Sequence, residues 1–322
     1  MSTSEMCQIV CLDNGHVVVG NGSELHRYDT SKDTWYAFPE GEPPVKNFTL
    51  AVYQSQLLLV GGVITTQTLN SIQIHIVSTV TGAVMKTPLA KSERETDKIW
   101  YLDDKCGWVE SPMLSPMPSS HSSAAAVVDG DLLIVANGPG IIESNGIDIF
   151  DGKSWQRTIY VQGAPMNHIN QWSHKKYRVG MAVHNDHLFM LCEYLNIQTR
   201  QIDYKFFGSV SIQSLCESSI SARKSATWMG IEFPDGYASN PISYRGHFIS
   251  VVASTHNNKQ VLGIHVFVND SWGVVMGNPN MKFTIALPCV VRLPKQELMV
   301  MIGGDALVMS TVGMYIANSM HV

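Results

Sequence analysis

The 322 residues predict an all-β chain folded as a six-bladed β-propeller of four-stranded antiparallel blades. Three observations predict it. A phrase made of an aromatic or apolar residue, an acid, a polar turn and a tryptophan recurs as YDTSKDTW at 28–35, LDDKCGW at 102–108, FDGKSW at 150–155 and FVNDSW at 267–272, with a looser echo in SARKSATW at 221–228. Pairs of short apolar runs joined by a polar turn occur six times, and each pair is followed by one further strand-like run. With 45% hydrophobic and only 15% charged residues the chain can bury a large core, and a repeated all-β unit fills this length as one closed body. A single domain over 1–322 is therefore expected.

The hairpins open each unit: CQIVCLDNGHVVVG, TLAVYQSQLLLVGG, AAAVVDGDLLIVANG, VGMAVHNDHLFMLCE, NPISYRGHFISVVAS and LPCVVRLPKQELMVMIGG. Turns such as Asn14-Gly15, Asp129-Gly130 and Asn185-Asp186 tolerate the positive φ of tight hairpins, and β-branched and aromatic flanks suit strands. The third strands read ELHRYD, KIWYLDD, GIDIFD, YKFFGSVSI, IHVFV and VGMYIA. A fourth strand is expected at the tryptophan in the first five units and is missing from the last. Such a meander has exposed faces and edges that radial packing covers, which gives blades at about 7–39, 48–111, 121–159, 177–231, 240–276 and 284–317. Ring closure is expected from side-chain packing of 285–301 on the first blade, not from a strand shared across the junction. Two insertions interrupt the rhythm. SIQIHIVST and TGAVMKT, between Val63 and Lys98, predict an extra hairpin, and SIQSLCESSISARK at 212–224 predicts a short helix.

A hairpin whose second strand ends in Gly-Gly, followed by an aromatic beside an acid and then a tryptophan, resembles the kelch repeat. Gly61-Gly62 and Gly303-Gly304 keep the doublet, while Gly20-Asn21-Gly22, Ala136-Asn137-Gly138, Cys192-Glu193 and Ala253-Ser254 stand in its place elsewhere. In physical terms, glycine there permits φ above zero or a close approach to the next blade, and tryptophan fills the wedge between adjacent sheets. The resemblance covers essentially the whole chain. It implies a non-catalytic protein-binding adaptor or scaffold, and by family analogy alone a link to ubiquitin ligases, which kelch propellers reach through BTB or F-box modules.

The rest of the composition narrows the function classes. A formal net charge of -5 lacks the general attraction to phosphate that a basic domain supplies, so nucleic acid is not the expected partner. No run approaches the length needed to span a bilayer, and a cytoplasmic protein with no membrane partner is expected. Six scattered cysteines, at 7, 11, 106, 192, 216 and 289, read as reduced thiols. The twelve histidines form no HxxxH or HExxH pattern, and His184-Asn185-Asp186-His187 reads as a solvated turn; GxSxG and GxxxxGK are absent too. No catalytic residue, metal or cofactor is therefore expected. The alternative is a propeller enzyme, either a carbohydrate-active hydrolase or one like the kelch-type copper oxidase that uses galactose.

In a four-stranded meander the loops joining strands two and three open on the same face as the connections between blades. The long connections here, 63–97, 111–121, 156–175, 195–203 and 254–262, nearly all belong to those two classes, so one face is expected to be loop-rich. Kelch adaptors often carry there, at the start of the first strand, an arginine that reads acidic peptide. The resemblance places Lys46, His121, Lys176 or Tyr177, and Lys282 at those positions. HINQWSHKKYR at 168–178, read as a loop, adds Trp172, His174, Lys175, Lys176 and Arg178, a mixture of aromatic and basic residues typical of interface anchors. The expected partner is a protein offering an acidic segment.

Overall fold

The computed structural model describes residues 7–21, 24–38, 42–67, 75–77, 84–86, 91–103, 105–121, 124–136, 147–158, 161–162, 175–196, 201–217, 226–227, 229–256, 259–278, 289–293, 298–302, 305–309 and 314–316. The first blade is a meander of β1 (Cys7–Cys11), β2 (His16–Asn21), β3 (Glu24–Asp29) and β4 (Thr34–Ala37). The second takes β5 (Thr49–Tyr53) and β6 (Gln56–Val60), leaves the sheet through β7 (Val63–Gln67), β8 (His75–Val77), β9 (Val84–Lys86) and β10 (Lys91–Glu95), and returns as β11 (Ile99–Asp103) and β12 (Gly107–Glu110). The third is β13 (Ala125–Asp129), β14 (Leu132–Ala136), β15 (Ile147–Phe150) and β16 (Trp155–Thr158). After the short β17 (Val161–Gln162) the fourth has β18 (Lys175–His184), β19 (His187–Asn196) and β20 (Gln201–Ser211), then helix α1 (Ile212–Glu217), β21 (Ala226–Thr227), which pairs in parallel with β17, and β22 (Met229–Ile231), the outer strand of the blade. The next sheet contains β23 (Tyr237–Ala238), β24 (Ile242–Tyr244), β25 (His247–His256), β26 (Lys259–Val268) and β27 (Ser271–Asn278). The last is β28 (Cys289–Arg292), β29 (Leu298–Ile302), β30 (Asp305–Met309) and β31 (Met314–Ile316).

The recurring phrase has a local cause. Asp29 accepts the N–H groups of Ser31 and Lys32, Asp103 those of Lys105 and Cys106, and Asp151 those of Lys153 and Ser154. Each acid thus ends the third strand and caps the turn that follows it. That turn sets the register, so Tyr28 lies opposite Trp35, Leu102 opposite Trp108 and Phe150 opposite Trp155. In the fifth sheet the turn is made instead by Asn269 and Asp270, both at positive φ, and Phe267 still lies opposite Trp272.

Each tryptophan then reaches toward a neighbouring sheet. Trp108 packs with Val18, Leu25 and Phe48, Trp155 with Ala51, Leu58 and Ile99, and Trp272 with Phe189, Phe207 and Phe248. Clusters of this kind join every consecutive pair of sheets. The third and fourth share Ile149 and Met190, the fifth and last share Val251 and Val290, and the last meets the first through Val291, Leu293, Val17 and Val19. The ring therefore closes, with the first strands of the sheets neighbouring one another in turn. Among the described residues β1 pairs with β2 alone, and the junction between last and first sheets is an apolar one.

This is an all-β propeller with four-stranded antiparallel blades, and three sequence expectations need correction. Six blades were expected, the last without its fourth strand; among the described residues five sheets are four-stranded blades, and the sheet over 237–278 departs from that form with five strands. The reason lies in Ser239-Asn240-Pro241. β23 and β24 both pair with β25, but Ala238 faces Val252 while Ile242 faces Ile249, a shift of register by one residue. Proline cannot donate to the ladder, so the first strand breaks there. Ser239 fills the gap, its hydroxyl accepting the Val251 N–H while Ser250 donates to the Ser239 carbonyl. The second correction is that the last sheet does have a fourth strand: DALVM, unread in the sequence, is the third, and residues 314–316 are the fourth. The third concerns 168–178, where Lys175, Lys176, Tyr177 and Arg178 belong to β18 and pair with β19, so they are strand and not loop. The expected extra hairpin forms, as β8 paired with β9, and the short helix is α1.

Candidate functional site

At one end of the blades the second strands finish and the third begin. In the second blade this end is built outward, because β6 runs through Gly61 and Gly62 into β7, and β7 pairs with β10 over five residue pairs. The ribbon so formed is tied at its base on both sides. Lys46 bridges to Val63, and Thr96 bridges to His121 in the lead-in to the third blade. Gly61 donates to the Lys98 carbonyl, and Gly62 donates to the His121 carbonyl at 2.6 Å. Both glycines have positive φ, 63° and 110°. A Cβ on Gly61 would meet the His121 carbonyl oxygen at 2.5 Å, and one on Gly62 the Lys46 carbonyl oxygen at 2.7 Å. The doublet thus serves left-handed backbone and close approach together.

His121 lies at this junction, but its side chain is fully buried. Its Nε2 is 2.8 Å from Asp148 Oδ2 on β15, and the Ser119 hydroxyl donates to the same carboxylate oxygen while lying 3.1 Å from the imidazole. One carboxylate oxygen therefore holds both donors. This is not the arrangement of a nucleophilic serine, whose proton must pass to the imidazole while the acid holds the opposite ring nitrogen. His121 anchors the lead-in to the third blade and is withdrawn from the surface where the sequence placed it.

Of the other expected partner-binding residues, Lys46 is exposed at the base of the ribbon. Lys175, Lys176 and Arg178 are placed by backbone in β18. Trp172, His174 and Lys282 lie outside the described residues. Of the described members, Lys46 and His121 both meet the base of the ribbon, Lys46 exposed and His121 buried.

The fourth blade shows what replaces the glycine doublet. Glu193, at the position of the second glycine, is buried, and Lys205 Nζ lies 3.2 Å from it. The same ammonium donates to the carbonyls of Pro234 at 2.9 Å and Gly236 at 2.6 Å, in the lead-in to the next sheet, and sits over the Phe233 ring. A side-chain amine here does what the Gly62 N–H does in the second blade. The sequence signal was an acid in the doublet and a lysine on the facing strand, which pairing alone could bring together.

At the opposite end, Asn185 and Asp186 form an exposed turn with both φ positive. His184 stacks on Phe248, and its Nδ1 is 3.2 Å from the Ser243 hydroxyl. Burial, with His247 nearby, holds the His184 pKa below its usual value. No group of three or more His, Cys, Asp or Glu among the described residues is arranged to hold a metal ion. Cys11, Cys106 and Cys216 are free thiols, and Cys192 is buried. No helix among the described residues is long and apolar enough to cross a membrane.

No family model matches the chain, and no curated protein does. Among solved structures, one titled "Structure of YjhT" matches over 98% of each chain with a TM-score of 0.55 and 13% identity. That neighbour is of propeller type, and the likeness is one of fold.

Proposed function

We propose that this chain is a kelch-type propeller acting as a non-catalytic adaptor or scaffold, recognising an acidic segment of a partner protein on the face that bears the ribbon. The observation that carries this reading is the growth of the second blade out of its sheet on the same face, with Lys46 exposed at its foot. A rigid ring that carries a built-out element and an exposed cation suits recognition. Several polar groups among the described residues serve architecture: Asp29, Asp103 and Asp151 cap turns, Ser119, His121 and Asp148 hold one another, and Glu193 holds Lys205. The kelch assignment is supported by the Gly61-Gly62 geometry and by the tryptophans between sheets.

Selection of a library of short linear peptides on the purified protein tests the reading. Acidic sequences should dominate, their binding should weaken with salt, and Lys46→Glu should weaken it further. A stoichiometric transition metal in the purified protein, or selected peptides indifferent to Lys46→Glu and displaced by substitutions at Asn185 and Asp186, would count against it.

A further inference from the structure

The mode of recognition can be read from the ribbon, an inference that rests on the proposed function above. The two edges of the ribbon differ in character. β10, KSERE, carries Lys91, Glu93, Arg94 and Glu95, the kind of charged edge that resists pairing with another chain. β7, VITTQ, has no charge and no proline, and four of its five residues are β-branched.

Strand pairing on the β7 edge has begun and has been stopped. Lys46 donates its N–H to the Val63 carbonyl at 3.0 Å, and Val63 donates back to the Lys46 carbonyl at 2.7 Å. In an antiparallel ladder such doubly bonded pairs recur at every second residue, so the next would join residue 44 to Thr65. Residue 44 is Pro44, which has no N–H and follows Pro43. No backbone bond joins Pro44 to Thr65. The ladder with β10 uses the alternate positions, since Thr96 donates to Gly62 and the register then places Ile64 and Thr66 in the bonded pairs. Thr65 and Gln67 therefore turn their N–H and C=O groups outward, and among the described residues no strand pairs with them on that side.

We propose that the β7 edge takes up an extended segment of the partner protein as an added antiparallel strand. The segment starts at Thr65, where the ladder with the Pro43-Pro44 lead-in stops, and runs toward Gln67, with an acidic residue near the exposed Lys46. Main-chain hydrogen bonds along the edge hold it, and the ring supplies the rigid base.

Peptides selected from the library serve as probes. Thr65→Pro removes one outward N–H and leaves the bonded positions of the β10 ladder intact, while Glu93→Pro does the same on the opposite edge of the ribbon. Thr65→Pro should weaken the peptides about tenfold, and Glu93→Pro should leave them unchanged. N-methylation along the peptide backbone should weaken binding at alternate residues only; this scan decides the matter even where Thr65→Pro disturbs the ribbon. Peptides that tolerate Thr65→Pro with no alternation in the N-methyl scan, yet are lost on Lys46→Glu, overturn strand addition and leave the recognition face standing. A library that yields no binder overturns both.

Discussion

Asp29 illustrates how one residue type serves the repeat. The Ser31 hydroxyl, then its N–H and Lys32, hold the Asp29 carboxyl at a pKa of about 2, below its usual 3.8. A carboxylate with a lowered folded pKa contributes stability that is present above the unfolded value and lost as pH falls through the folded one. Denaturant midpoints should therefore drop between about pH 4 and pH 2, and Asp29→Asn should flatten that part of the profile; an unchanged slope would show that the acid limb arises elsewhere. Asp103 and Asp151 shift in the same direction through their turn N–H groups and add to the same limb. His184 and His265 act at higher pH. Burial first, then His247 and Lys205 respectively, hold them below 6.5, so the unfolded chain binds protons more readily and stability declines as pH drops below that value. Trp155 is the third test at this scale. It packs on Phe150 and donates its indole N–H to the Leu114 carbonyl at 2.9 Å, so Trp155→Phe should cost about 1 kcal/mol and Trp155→Ala about 3 kcal/mol by chemical denaturation.

Elements were legible to the extent that they repeat. The acid, turn and tryptophan of each phrase were visible because both the turn cap and the cross-strand partner are local, within seven residues of one another in YDTSKDTW. Lys205 and Glu193 were not, because their pairing depends on register between two long strands and on a lead-in some thirty residues further on. The strand at Lys175 to Arg178 was missed for a related reason. It runs past the end of the blade as part of a ribbon, where alternation of apolar and polar residues is not required. Pro241 was in plain view within NPISYRG, yet its consequence, a split first strand, needed the register of β25. Among the expected binding residues, Lys46 lies exposed at the foot of the ribbon, and the resemblance could not foresee that a buried acid, Asp148, would claim His121. The glycine doublet gives a sharp contrast at this scale. Gly62→Ala must hold φ near 110° and drive a Cβ to 2.7 Å from a backbone oxygen, so it should cost about 2 to 4 kcal/mol. Gly130→Ala has φ of 58° and open space, and should cost about 1 kcal/mol. Equal losses in thermal or denaturant unfolding would mean that the close approach of Gly62 to the Lys46 carbonyl has no bearing on stability.

For the whole molecule the question is where a ring of similar sheets gives way first. The junction between second and third blades is bound by backbone, through Gly62 to His121, His121 to Thr96 and Met117 to Asp97, and by the Thr49 hydroxyl on the Ala124 carbonyl. The junction between last and first sheets is held by an apolar cluster of Val17, Val19, Tyr28, Val291 and Leu293, against which Ile9, Cys11 and Trp35 pack. Among the described residues no backbone hydrogen bond crosses this seam, so it should open at a lower free energy than the junction between second and third blades. Cys11 reports on it directly. Its thiol is half-buried in the seam, and burial, aided by Asp13, holds its pKa up, so labelling by a thiol reagent should be slow in the intact ring. Exposed Cys106 gives the unhindered rate in the same chain, and buried Cys192, between third and fourth blades, gives the rate of global opening. Val291→Ala removes methyl groups from the seam alone and should speed Cys11 labelling about tenfold or more while leaving Cys192 unchanged. Equal acceleration at Cys11 and Cys192 would show that the ring opens as one unit and that its closing junction is no weaker than the others.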